Sequence, residues 1–154
     1  VHKTAAADVQ KPQSHSADQE TLPAIRVLVA EDNPVNQAVA KGFLKLKGLS
    51  ADYVENGQQA VDTLKAQNYD LVLMDMEMPV MDGLTAARAI RKLASEAASV
   101  PIIALTAHTL SGVADRCKAA GMNAHVAKPI DREALFSAID EALAMDRNIN
   151  RNAA

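Results

Sequence analysis

Acidic residues follow two of the apolar segments of this 154-residue chain, in a pattern that suits metal binding. Glu31 and Asp32 come directly after the segment Ile25–Ala30, and Asp75 comes directly after Asp70–Met74. Three carboxylates that meet in one crevice repel one another and favour protonation unless a cation lies among them. Mg²⁺ prefers oxygen ligands and typically binds one or two carboxylates together with a phosphate. The acidic residues therefore predict a Mg²⁺ site that also receives a phosphoryl group.

A hydroxyl and an ammonium group follow two further apolar segments. Thr106 comes after Pro101–Leu105, and Lys128 comes after Ala124–Ala127. A lysine supplies a compact positive charge and a threonine supplies a hydrogen bond, and both suit the neutralisation and positioning of a phosphoryl group. Asp75 would be the nucleophile, because an aspartate can form an acyl-phosphate. The chemistry that these residue types predict is phosphoryl transfer.

The elements that would position these residues alternate regularly along the chain. Each of five short apolar segments is followed by a helical pattern, and the second segment, Ala51–Val54, is followed by Glu55-Asn56-Gly57, which indicates a turn. The predicted helices run from Pro34, capped by Asn33, to Gly48, from Gln58 to Gln67, onward from Asp82, from Ser111 to Ala120 and onward from Asp131. Continuous apolar strands that alternate with helices indicate a parallel sheet covered on both faces, and five units are too few for an eight-stranded barrel. The predicted fold is α/β, a doubly wound five-stranded parallel sheet, whose ligands bind at the carboxyl ends of the strands.

Both ends of the chain are polar and differ from the segment between them. Residues 1–24 have only Val1, Val9 and Leu22 as large apolar side chains, so we interpret them as a flexible linker. Residues 146–154 are interpreted as a disordered tail. Residues 25–145 would then form a single domain. The valine at position 1 suggests that the chain is a segment of a longer protein.

The composition argues against several classes of protein. A net charge of -3, from 16 basic and 19 acidic residues, argues against nucleic-acid binding. Aromatic residues make up 3% of the chain, too few for a base-stacking surface or an aromatic ligand cavity. One cysteine excludes a disulfide framework and a zinc site of several cysteines. No apolar run approaches the ~20 residues of a membrane span, and the start lacks the apolar core of a signal peptide, so we expect a cytoplasmic protein.

Four segments at the ends of the predicted strands resemble the receiver domain of two-component response regulators. They are VLVAEDN at 27–33, LVLMDMEMPVMDG at 71–83, IIALTA at 102–107 and KP at 128–129. Each segment alone is weak evidence, but the four occur in the order and with the spacing of that family. The resemblance covers residues 25 to about 145. It implies a flavodoxin-like sheet with the strand order 2-1-3-4-5.

The resemblance implies a phosphoacceptor and a metal site. Asp75 would take a phosphoryl group from a phosphohistidine. Asp32 would bind Mg²⁺ more directly and Glu31 largely through water, and Asp75 and the backbone carbonyl of Glu77 would complete the site. Lys128 would contact the phosphoryl oxygen, and its bond to the following proline is usually cis in this family.

The resemblance also implies a switch. Thr106 would donate a hydrogen bond to the phosphoryl group and move toward it on phosphorylation. The residue three positions before Lys128 is usually Tyr or Phe, but here it is His125. We therefore expect phosphorylation to shift the face formed by the fourth helix, the fifth strand and the fifth helix with a smaller change of side-chain rotamer than in relatives with tyrosine.

The partner implied by the resemblance is the dimerisation domain of a histidine kinase or a histidine phosphotransfer protein, with no contact to nucleic acid or membrane. The chain would catalyse its own phosphorylation and slow hydrolysis, but it contains no kinase motifs. By analogy the parent is a hybrid histidine kinase with this receiver at its end, in preference to a stand-alone regulator. The alternative function is a small phosphatase with an aspartyl nucleophile, in which Glu77 would be the general acid. A flavin binder and a docking module that is never phosphorylated are further alternatives that fit the residues less well.

Overall fold

The computed structural model describes residues 25–107 and 112–153, with side chains up to residue 144. The strands are β1 (Arg26–Ala30), β2 (Ser50–Val54), β3 (Leu71–Asp75), β4 (Ile102–Thr106) and β5 (Ala124–Ala127). The helices are α1 (Pro34–Leu46), α2 (Gly57–Ala66), α3 (Gly83–Arg91), α4 (Val113–Ala119) and α5 (Arg132–Ala153), and a short 3-10 helix covers Glu96–Ser99. The linker predicted for residues 1–24 lies outside the described residues.

The five strands form one parallel sheet in the order β2-β1-β3-β4-β5. This order confirms the predicted α/β fold with strand order 2-1-3-4-5. Every residue of β3 and β4 is buried, because helices cover both faces of the sheet. Leu73 and Leu105 pack in a core under α1 and α5, whereas Val72 and Met74 pack in a second core under α2, α3 and α4.

Side-chain caps fix the direction of the chain where two helices leave the sheet. Asn33 caps α1, since its side chain accepts hydrogen bonds from the backbone N–H groups of Val35 at 2.8 Å and Asn36 at 3.3 Å. Asp82 caps α3 by accepting a hydrogen bond from the N–H group of Thr85 at 2.7 Å. Such caps satisfy backbone donors that have no partner within the helix. The predicted cap at Asn33 is confirmed.

The last helix differs from the sequence prediction. The backbone is helical through Ala153, which corrects the prediction of a disordered tail from residue 146, while residue 154 lies outside the described residues. The extension contains no glycine or proline that would end the helix, although it includes three asparagines, which have low helix propensity. In the part of the chain that the structure describes, neither α5 nor another helix is long and apolar enough to cross a bilayer.

Arg91 connects the end of α3 to two loops on the side of the sheet away from the predicted site. Its Nη1 atom donates hydrogen bonds to the backbone carbonyls of Ala98 at 2.9 Å and Val100 at 2.7 Å. Its Nε atom donates to the carbonyl of Gly121 at 2.9 Å, and Nη2 donates to Oδ1 of Asn123 at 3.0 Å. Burial lowers the pKa of Arg91 from its usual value, but the group stays charged at neutral pH because arginine is such a strong base.

We expect Arg91→Met to lower the free energy of unfolding by about 3 kcal/mol, because it leaves partly buried carbonyls without a donor. Arg88→Met is the matched control, since Arg88 is an exposed arginine of the same helix, and its effect should stay within about 0.5 kcal/mol. Urea unfolding of the two variants measures the difference. Equal stability of both variants would show that the Arg91 hydrogen bonds do not stabilise the domain.

Candidate functional site

The carboxyl ends of four strands bring the predicted residues to one edge of the sheet. Asp75 is the last residue of β3 and Thr106 is the last residue of β4. Glu31 and Asp32 directly follow β1, and Lys128 directly follows β5. Neighbouring strands pair in parallel, so their carboxyl ends lie side by side. The fold thus positions five side chains from four separate parts of the sequence around one crevice.

Three carboxylates lie close enough to bind one cation. One oxygen from each of Glu31, Asp32 and Asp75 lies within 4.8 Å of the other two. Glu31 and Asp75 are buried, whereas Asp32 is exposed. Like charges at this distance in a partly dry site need a positive charge among them. Oxygen ligands with one side open to water fit Mg²⁺, which keeps several of its waters.

Lys128 lies between two of these carboxylates. Its Nζ atom is 2.9 Å from Oε1 of Glu31 and 3.1 Å from Oδ2 of Asp75. Burial lowers the pKa of Lys128, but the two carboxylates outweigh burial and raise this pKa above the usual value of 10.5. The ammonium group is therefore charged at neutral pH and partly balances the acidic cluster.

One oxygen of Glu31 has capacity for a further partner. The ammonium group of Lys128, at 2.9 Å, is the partner of the buried oxygen Oε1, and among the described residues no further hydrogen bond reaches this oxygen. The other oxygen, Oε2, accepts a hydrogen bond from the N–H group of Asn33 at 3.1 Å. A carboxylate oxygen has two lone pairs and can accept from a second partner beside the lysine. A water molecule of a hydrated Mg²⁺ ion would supply that partner, so the donor set fits the predicted metal.

Both oxygens of Asp75 have partners that orient the carboxylate. Oδ1 accepts a hydrogen bond from the backbone N–H group of Glu77 at 3.1 Å, and Oδ2 contacts Lys128. A pocket of about 340 Å³ opens beside Thr106. It is lined by Met76, Glu77, Met78, Asp82, Leu84, Thr106, Ala107 and Arg116. This pocket connects the strand ends to solvent on the α4 side.

The region of the expected switch has two notable features. The Lys128–Pro129 peptide bond is cis, as the resemblance implies. His125 lies on the edge strand β5, opposite Ala104 of β4, and its side chain is exposed. It lines a cavity of about 540 Å³ together with residues of α4 that include Cys117. The position where the family usually has an aromatic ring therefore faces the α4–β5 surface.

Sequence reasoning missed two glycines that contact the loop after Asp75. A Cβ atom on Gly83 would collide with the backbone carbonyl of Asp75, and one on Gly57 would lie 2.5 Å from the carbonyl of Met81. The sequence signals were the Asn-Gly and Asp-Gly pairs, which indicate turns and caps and do not reveal a close approach between distant segments. Gly57 in particular approaches a loop that is far from it in sequence.

Comparison with known proteins decides the family. The pattern of the response regulator receiver domain matches residues 27–140. The chain belongs to this family. The receiver domain is 40% identical over 125 residues to hybrid signal transduction histidine kinase K of Dictyostelium discoideum. The aligned region covers 77% of this chain and 10% of that kinase. Histidine kinase 1 of Arabidopsis thaliana is 37% identical over 157 residues and covers 79% of this chain, which spans 13% of that kinase.

Solved structures of receiver domains share the fold. The receiver domain of a sensor histidine kinase from Pseudomonas aeruginosa PAO1 matches with a TM-score of 0.73 and 41% identity, over 79% of this chain and 99% of that one. That crystal structure has a magnesium ion in its active-site cleft. A second match is the receiver domain of the Saccharomyces cerevisiae response regulator Ssk1 in complex with the histidine phosphotransfer protein Ypd1. Its TM-score is 0.71, with 32% identity, and the match covers 80% of this chain and 92% of the Ssk1 chain. The chain spans only about a tenth of the curated kinases that it matches.

Proposed function

We propose that this receiver domain takes a phosphoryl group from a phosphohistidine onto Asp75 and uses Mg²⁺ for the transfer. The position of Asp75 carries the proposal. The residue ends the central strand β3, its carboxylate oxygen lies 3.1 Å from the ammonium group of Lys128, and it belongs to the acidic cluster with Glu31 and Asp32. Phosphoryl transfer depends mainly on positioning and charge neutralisation, and these groups supply both.

The residues that would hold Mg²⁺ are Asp32, Asp75, the backbone carbonyl of Glu77 and, through water, Glu31. The bound ion would neutralise charge on the phosphoryl oxygens. The protein contributes a carboxylate cluster that is already gathered and a lysine that offsets part of its charge. Asp32, the exposed member of the cluster, lies on the side where the ion would keep its waters.

Asp75, Lys128 and Thr106 each contact the phosphoryl group during the transfer. A carboxylate oxygen of Asp75 forms a bond to phosphorus while the bond between phosphorus and the histidine nitrogen breaks, and the imidazole leaves with that electron pair and takes up a proton. The Nζ atom of Lys128 pairs with a phosphoryl oxygen. The hydroxyl group of Thr106, a buried residue, donates a hydrogen bond to another phosphoryl oxygen. The phosphoryl group returns to water by slow hydrolysis.

The signal leaves the domain by one of two routes. Movement of Thr106 toward the phosphoryl group would shift the surface of α4, β5 and α5, where His125 replaces the usual aromatic residue. Alternatively, the phosphoryl group passes to a histidine phosphotransfer protein. The partner that supplies it is a histidine phosphotransfer protein or the dimerisation domain of a histidine kinase. Similarity to a hybrid signal transduction histidine kinase supports a parent protein of that kind. We propose that the receiver lies at the end of such a kinase and in the cytoplasm.

Intact-protein mass spectrometry tests this function. Incubation with acetyl phosphate and Mg²⁺ should add one phosphoryl group per chain, and removal of Mg²⁺ by EDTA should prevent the addition. Unchanged phosphorylation in EDTA would contradict the metal role, and no mass gain under any condition would contradict the function. Steady multiple turnover of a generic phosphate ester would instead support the alternative of an aspartyl phosphatase, in which the exposed Glu77 serves as general acid.

A further inference from the structure

The loop that follows Asp75 is held at both of its ends by glycine N–H groups. We call residues 76–82, between β3 and α3, the acceptor loop. At its far end, the N–H group of Gly57 donates a hydrogen bond to the carbonyl of Met81 at 3.0 Å. At its near end, the N–H group of Gly83 donates to the carbonyl of Met76, also at 3.0 Å. The first of these contacts comes from α2, an element that contributes no residue to the metal site.

Gly57 approaches the acceptor loop more closely than a residue with a side chain could. A Cβ atom at this position would lie 2.5 Å from the carbonyl oxygen of Met81, 2.9 Å from Cβ of Ala86 and 3.1 Å from the carbonyl oxygen of Asp82. Two of these three atoms belong to the backbone and cannot rotate away. The φ angle of Gly57 is not in the left-handed region, so the missing side chain is what this position requires.

The acceptor loop has a conformation that needs outside contacts to persist. Val80 has a φ angle of 68°, which is unfavourable for a β-branched residue. The N–H group of Met81 donates to the carbonyl of Pro79 at 2.6 Å, so the loop contains a γ-turn of the strained type with positive φ. The side chain of Val80 is 82% exposed and has little packing that could hold the turn. Strained backbone of this kind is maintained by the surrounding structure.

We propose that Gly57 is a positioning residue for the Mg²⁺ site. It fixes the carbonyl of Met81 and thereby the acceptor loop, which carries the backbone carbonyl of Glu77 that is a proposed metal ligand. The Glu77 N–H group already holds the carboxylate of Asp75 at 3.1 Å, so a displaced loop would disturb two ligands together. This inference rests on the proposed function, because it assumes that Mg²⁺ binds at the acidic cluster.

The test compares Gly57→Ala with Gly42→Ala by isothermal titration calorimetry with MgCl2. Gly42 lies in α1, is exposed, and has no atom within 4 Å of the Cβ that alanine would add, so it is a matched control. We expect the Mg²⁺ dissociation constant of Gly57→Ala to rise about 10-fold or more, as for other changes to groups that orient metal ligands. Gly42→Ala should bind Mg²⁺ like the wild type. A second readout is the Mg²⁺ dependence of phosphorylation, where Gly57→Ala should need more Mg²⁺ and still approach the wild-type rate at saturation.

The possible results distinguish an effect of Gly57 on Mg²⁺ binding from a loss of folding stability and from a failure of the proposed function. Wild-type Mg²⁺ affinity in Gly57→Ala would overturn the inference, even if urea unfolding showed a loss of stability, and would leave the proposed function intact. If Gly57→Ala does not fold, the double variant Gly57→Ala, Ala86→Gly removes the side-chain collision and keeps the one with Met81, and the same rise in dissociation constant is expected. A wild type that neither binds Mg²⁺ nor becomes phosphorylated would overturn the proposed function and this inference together.

Discussion

Asp75→Asn is expected to abolish formation of the acyl-phosphate, because an amide oxygen carries no charge and is a poor nucleophile. The variant should fold, since asparagine has nearly the same shape and the change removes one of three negative charges that lie within 4.8 Å of one another. Less repulsion in the cluster should keep the free energy of unfolding in the absence of Mg²⁺ at or above that of the wild type. Loss of phosphorylation would then report the loss of the nucleophile.

Intact-protein mass spectrometry after incubation with acetyl phosphate and Mg²⁺ measures this effect, and urea unfolding checks the fold. Asp62→Asn is the control, because Asp62 is an exposed residue of α2 outside the site, and it should be phosphorylated like the wild type. An undiminished mass gain in folded Asp75→Asn would mean that another residue accepts the phosphoryl group.

Lys128→Met is expected to have the second largest effect, on both stability and rate. The side chain of Lys128 is 16% exposed, and those of its partners Glu31 and Asp75 are 1% and 5% exposed. Removing one partner of a buried ion pair leaves charge without compensation, which costs about 3 kcal/mol. Phosphorylation should slow about 100-fold, because a fixed positive charge near the phosphoryl oxygens is lost. Added Mg²⁺ should restore part of the stability by supplying positive charge to the carboxylates.

The difference in free energy of unfolding between wild type and Lys128→Met should decrease as the pH becomes strongly alkaline. The pKa of Lys128 is raised above 10.5 in the folded protein, so the folded state binds this proton more tightly than the unfolded state. The contribution of Lys128 to the free energy of unfolding is present in full below the pKa that this lysine has in the unfolded state. It is lost as pH rises through the pKa that the lysine has in the folded state. Urea unfolding from neutral to strongly alkaline pH measures it, with Lys65→Met, an exposed lysine of α2, as the control. A difference that grew above the usual lysine pKa would contradict the proposed ion pairing.

The parts of the fold and site that could be predicted are those encoded by local patterns. Apolar segments such as residues 71–74 and 102–105 predict buried parallel strands, and their ends then determine where Asp75 and Thr106 lie. The cap at Asn33 followed from a residue type with a known local hydrogen bond. Once the strands are parallel, the convergence of their carboxyl ends is a geometric consequence, and it needs no knowledge of side-chain contacts.

The parts that could not be predicted depend on contacts between segments far apart in sequence. Nothing near Arg91 indicates that its guanidinium group reaches the carbonyls of two loops, one of them at Gly121. Likewise, Asn-Gly at Gly57 indicates a turn, whereas the close approach to Met81 appears only after the sheet is assembled. The helical extension of α5 also could not be predicted, because its polar composition with three asparagines argues against helix, and it continues a helix that begins in the packed domain.

Phosphotransfer from a phosphohistidine, followed by location of the phosphoryl group, tests the central claim most directly. The donor is a histidine phosphotransfer protein phosphorylated chemically on its histidine, incubated with the receiver domain and Mg²⁺. The acyl-phosphate is trapped by borohydride reduction, and the modified residue is identified by peptide mass spectrometry. We predict loss of the phosphoryl group from the donor and modification of Asp75 in the receiver domain. Modification of another residue, or a phosphoryl group that stays on the donor histidine in the presence of Mg²⁺, would contradict the account.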